Sequence, residues 1–117
     1  GDRHSEGLSL ARLAAGLAQA GHVPEAEQKH ARAERLLRKD PLGLTVVELF
    51  SAFIDLQLAA TAAEQAQAAV AQARLTAARD KCQRARAHEA ESDDVRLCLR
   101  VLEAKLAQLP ARASSVS

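Results

Sequence analysis

Six side chains in this sequence have the chemistry to bind a soft metal or to act as acid, base or nucleophile: His4, His22, His30, His88, Cys82 and Cys98. Their spacing favours neither use. There is no C-x-x-C and no H-x-x-x-H, and Cys82 and His88, six residues apart, do not share one helical face. A metal-dependent or cysteine enzyme would have to be built from His88, Glu89 and Cys82, and no glycine-rich loop marks a substrate cleft beside them. The expectation is no catalytic residue, no metal site and no cofactor, with His30 a partly buried packing residue and the cysteines small hydrophobes. Both cysteines fall inside helical patterns, which fits a reducing, cytoplasmic setting better than a disulfide.

Charge narrows the partners. The 117 residues hold 16 Lys and Arg against 15 Asp and Glu, a formal charge of +1, so no global field draws nucleic acid or an anionic membrane. Two basic runs, Lys29 to Lys39 and Arg74 to Arg86, read as solvated helix faces near helix C-termini, where cations complement the dipole. Phe50 and Phe53 are the only aromatics, and neither is interleaved with a basic run where it could stack on bases, so no nucleic-acid partner is expected. The apolar stretches are interrupted by Arg, Glu, Asp or Gln, so no membrane-spanning helix and no membrane partner are expected.

The elements follow from 27 alanines, three prolines and five glycines, a composition that excludes an all-β fold. Leu10, Leu13, Ala14 and Leu17 mark a first helix from Leu8 to a glycine stop at Ala20-Gly21. A second helix starts at Val23-Pro24-Glu25 and runs to about Lys39, where Asp40-Pro41 ends it. Thr45-Val46-Val47-Glu48 reads as a capping box opening a third helix, the most apolar and therefore the central one. A second such box, Thr61-Ala62-Ala63-Glu64, predicts a turn near residues 59 to 62; the alternative is one continuous helix from 45 to 90, roughly 70 Å long, that would need a partner along its whole length. The fourth helix then spans about 62 to 90, with Ala66, Ala69, Val70, Ala73 and Ala77 inward and Cys82 or Ala85 beyond them. Glu91-Ser92-Asp93-Asp94 caps a fifth helix that carries Val95, Cys98, Leu99, Leu102, Leu106 and Leu109 on one face and stops at Pro110. Residues 111–117 are expected to be a disordered tail.

An offset of 36 lays Val46 on Leu10, Leu49 on Leu13, Phe53 on Leu17, Ala62 on Ala26 and Ala69 on Ala33. A period in the thirties with two helices per unit is the mark of a helical solenoid. On Leu10, Leu13, Ala14, Leu17, Gly21, Ala26, His30, Ala33 and the closing Asp40-Pro41, the chain resembles the tetratricopeptide-repeat (TPR) family. The second unit departs from that pattern, with Phe50 at a small position and Gln57 where the glycine would be. The resemblance implies an all-α, right-handed superhelix of about five helices in antiparallel hairpins within a single domain, 1–110. Its units are repeat one at about 8–41, repeat two at about 44–90 and a capping helix at about 93–109. Gly1-Asp2-Arg3 also resembles the linker between repeats in large bacterial regulators and serine/threonine kinases, which implies the C-terminal end of a longer array.

The same resemblance implies a non-enzymatic protein-protein interaction scaffold in a larger bacterial signalling or regulatory protein. Its partner-binding groove would be lined by Leu8, Ala11, Ala15 and Gln19 of the first helix and by Val47, Ser51, Ile54 and Asp55 of the third. The occupant would be a protein, a peptide or the parent chain. The rival reading is a self-associating helical bundle, a homodimer through helix 1, whose open face is meant for an upstream repeat.

Overall fold

The structure, a computed structural model, describes residues 2–108. Among these residues it is all-helical, with α1 at Asp2–Gln19, α2 at Val23–Leu36, α3 at Pro41–Glu64, α4 at Ala68–Ala85, a short 3-10 helix at Arg86–Glu91 and α5 at Asp93–Gln108. Leu109, Pro110 and the expected tail lie outside the described residues.

Local chemistry explains each turn. Gly21 takes φ +90, and the N–H groups of Gly21 and His22 donate back to the carbonyls of Ala18 and Leu17 at 3.1 and 2.8 Å. This is the glycine stop that ends α1. The turn after α3 repeats the same bonds without a glycine: Ala66 sits at φ 58, and the N–H groups of Ala66 and Gln67 reach the carbonyls of Ala63 and Ala62 at 3.1 and 2.8 Å. Ala66 is therefore the counterpart of Gly21, whereas an offset of 36 puts Gln57 there, so the two hairpins are unequal.

Several expected boundaries are corrected. α1 starts at Asp2 rather than Leu8, so residues 2–7 are helical, and Gly1 lies outside the described residues. Asp40-Pro41 does not end the second helix, which stops at Leu36; it opens α3. The Asp40 carboxylate accepts the Gly43 N–H at 2.9 Å and lies 2.6 Å from His4 Nδ1, while Pro41 supplies a first-turn φ. Neither threonine caps a helix. Thr45 Oγ1 donates to the Pro41 carbonyl at 2.8 Å and Thr61 Oγ1 to the Gln57 carbonyl at 3.1 Å, the bonds of a hydroxyl inside a helix. The break consequently falls at residues 65–67, and α4 begins at Ala68. Its inner face is Ala71, Leu75, Ala78, Cys82 and Ala85, and Val70, expected inside, is 49% exposed. α4 gives way to the 3-10 helix at Arg86 instead of continuing to residue 90.

Side-chain pairings set the helix directions. Ala11 meets Val47 in one cluster while Ala14 and Ala18 meet Ile54 in another, so α1 and α3 run the same way. α2 runs back, with Ala33 and Leu37 beside Ala11 and Ala26 beside Ala18. α4 runs back along α3, since Arg74 reaches Asp55 and Arg84 reaches Glu48. α5 completes the core against α3 and α4 through Val95, Leu99 and Leu102. α3 is long and apolar enough to cross a membrane by length and composition. Its place among α1, α4 and α5 accounts for that character as a core helix.

Small residues make the α1–α2 contact possible. A Cβ on Gly7 would stand 2.6 Å from Leu37 Cγ, so Leu37 is buried against bare backbone.

Two substitutions test the turns. Ala66→Gly relieves the left-handed alanine and should raise the unfolding free energy by about 0.5–1 kcal/mol in urea titration; a loss would show that the turn is not strained. Asp40→Ala removes the α3 cap and should cost about 1 kcal/mol at neutral pH. The Gly43 N–H, and then His4, hold the Asp40 carboxyl below its ordinary value of 3.8. A lowered folded value means the contribution is complete above the unfolded value and fades as pH falls through the folded one. The gap between wild type and Asp40→Ala should thus be open above the unfolded value and close as pH falls through the folded one; a gap independent of pH would assign it to something other than the carboxylate.

Candidate functional site

α1 and α5 flank α3 and leave a groove above it. Its floor is Val46, Phe50 and Phe53; its walls are Leu8 and Arg12 on one side and Asp94, Leu97, Cys98 and Val101 on the other. The two phenyl rings stand 6.0 Å apart at 38°, half-buried, with one side on the core and the other toward the groove. The groove holds about 240 Å³ and continues along α3 past Gln19, Leu56, Gln57, Lys105 and Gln108. Leu97 and Val101 are 58% and 39% exposed on its α5 rim.

The expected groove residues divide. Leu8 and Gln19 line this channel. Ala11, Val47 and Ile54 instead lie buried in the contacts of α1, α2 and α3, which takes them out of reach of a partner. Ala15 and Ser51 are half-buried, and the Ser51 hydroxyl donates to the Glu48 carbonyl at 2.6 Å. The open face of α3 is thus rotated by about one residue, 100°, from the expected one. Phe50 and Phe53 serve the core and the groove together.

Asp55 has a different task. It is 2% exposed, and its carboxylate receives Lys81 Nζ at 2.6 Å and Arg74 Nη1 at 3.2 Å, both from α4. Arg84 Nε donates to Glu48 at 2.9 Å, and Arg86 pairs with Glu103 of α5. The basic run from Arg74 to Arg86, expected to be a solvated face, therefore ties α4 to its neighbours. In the other run Arg32 pairs with Glu6 at 3.5 Å, while Arg35, Arg38 and Lys39 join Arg3, His4 and Asp40 around an open recess at the end of α2.

No protein family, curated protein or solved structure matches this chain.

The reactive residues stay apart. Among the described residues no three His, Cys, Asp or Glu side chains gather in a way that could hold a metal ion. Cys82 packs among Val46, Leu49 and Leu99, and burial pushes its thiol up, reinforced by Glu103. Burial and then Asp94 push the Cys98 thiol up, against a smaller opposite effect of Arg12. Neither is an activated thiolate. His88 Nδ1 faces Glu91 at 3.2 Å, and His30 Nε2 donates to the Val47 carbonyl at 3.2 Å, joining α2 to α3.

The buried and exposed ion pairs should separate in urea titration. Asp55→Ala strands Lys81 at a helix seam and should cost about 3 kcal/mol. Arg84→Ala removes an exposed pair and should cost about 0.5 kcal/mol; equal losses would deny Asp55 its special place.

Proposed function

We propose that this chain is a non-enzymatic protein-interaction module whose α1, α3 and α5 layer receives an amphipathic helix of another polypeptide. The observation that carries the reading is the groove floored by Phe50 and Phe53 and rimmed by the exposed Leu97 and Val101. Apolar side chains grouped in a concave channel and left open to water are a docking feature, since a monomer gains nothing by exposing them together. From Leu8 to Gln19 the wall is about 16 Å long, at 1.5 Å per residue, which suits three turns of a docked helix. The shared direction of α1 and α3, with α2 and α4 running back, supports a TPR-like arrangement; the unequal hairpin turns depart from a strict repeat. Burial raises the pKa of both thiols, which speaks against a cysteine nucleophile.

A second reading, self-association through α1, rests on Leu13, 48% exposed between the half-buried Leu10 and Leu17. That stripe lies on the flank of α1 away from the groove, so the two surfaces can be tested separately.

A benzophenone photo-crosslinker attached in place of Leu97 in the living source cell should yield polypeptide adducts. The same group in place of Arg79, exposed on α4, should yield few. Equal labelling from both positions, or none from position 97, would remove the groove as a docking site.

A further inference from the structure

α5 has two apolar faces, and the core uses only one. Val95, Leu99 and Leu102 are fully buried against α3 and α4. On the flank about 110° around the helix, facing the groove, stand Leu97 and Val101, with the half-buried Cys98 beside them and the exposed Asp94 and Lys105 at the two ends. The steps 94, 97, 98, 101, 105 follow the three-and-four spacing of a second helical stripe. A surface helix of a monomer ordinarily turns polar residues outward. α4 does so with Arg79, Asp80 and Gln83, all exposed.

Resting on the docking role given to this face, we propose that its occupant is a second copy of the same chain, α5 packed antiparallel on α5 about a two-fold axis. The stripe is acidic at its start and basic at its end, and neither Asp94 nor Lys105 has an ion pair among the described side chains. Reversing one helix against the other sets Asp94 of each copy against Lys105 of the other. The midpoint of those two positions falls between Leu99 and Arg100. Leu97 and Val101 are centred at Leu99, within half a residue of it, so the register that pairs the charges sets Val101 of one copy level with Cys98 of the other and Leu97 within one residue, about 1.5 Å of rise, of Val101. Two independent requirements, charge and apolar contact, thus select one register, and a two-fold axis satisfies both twice. A partner of unrelated sequence has no reason to meet this coincidence. The second α5 also covers the open side of Phe53. Arg12, on the far wall of the groove, is the other charge that faces this end of α5.

Sedimentation velocity on the whole chain at about 100 µM, a concentration suited to a small interface, should show a dimer. Leu97→Glu with Val101→Glu should give a monomer of unchanged helical content. Asp94→Lys alone and Lys105→Asp alone should each weaken dimerisation about tenfold by facing like charges. Mixing those two single variants should restore it, because the mixed dimer pairs Lys with Asp at both ends. Recovery on mixing reports the contact itself, since any effect of Asp94→Lys on the start of α5 is present before and after. A monomeric wild type, a dimer indifferent to Leu97→Glu with Val101→Glu, or no recovery on mixing would overturn the proposal. If the wild type is monomeric while position 97 still crosslinks to another polypeptide, only the identity of the occupant falls. If neither occurs, the docking role falls with it.

Discussion

Alanine gives up little apolar surface when buried, so a core made largely of alanine holds only if its helices come close enough for backbone and Cβ atoms to meet. That requirement of close approach organises this protein. Ala11, Ala14 and Ala18 of α1 are buried against Ala26 and Ala33 of α2, and Gly7 leaves the space that Leu37 fills. Helices packed at such short range have little tolerance for sliding. On the α3–α4 side the register is held by a carboxylate instead: Asp55, buried, accepts two cations from α4, and a slip of α4 along α3 would strand the charge. The larger side chains, Leu49, Leu99, Leu102 and Val95, collect where α5 closes over α3.

How much of this could be read beforehand depended on the range of the interactions. Gly21 stops α1 because glycine takes a left-handed φ without cost, a property of one residue. The Ser92 hydroxyl accepts the Val95 N–H at 3.3 Å, so the expected cap of α5 is likewise a short-range bond. Thr45-Val46-Val47-Glu48 and Thr61-Ala62-Ala63-Glu64 misled, because a threonine caps a helix or sits within one according to what precedes it. At Thr45 the preceding Asp40-Pro41 offers a stronger start. At Ala66 nothing local announces a turn; the alanine is driven left-handed by the packing of α4 back onto α3.

The groove was harder still. α3 is apolar around most of its circumference, so its periodicity does not say which face stays open. Val47 and Ile54 meet α1 and α2, Asp55 faces α4, and the gap between α1 and α5 leaves Phe50 and Phe53. Only the long-range placement of α5 decides this. The error of one position in α3 is thus a matter of which neighbour claims which side.

The two thiols sit at different depths around one helix. Cys98 borders the open groove, while Cys82 lies behind α5 in the closed core, 4% exposed. In a single copy a thiol-modifying reagent therefore meets them through different events: Cys98 through small local fluctuations, Cys82 only when α5 lifts from α3 and α4. The ratio of their labelling rates makes the unmodified chain a clock for the opening of α5.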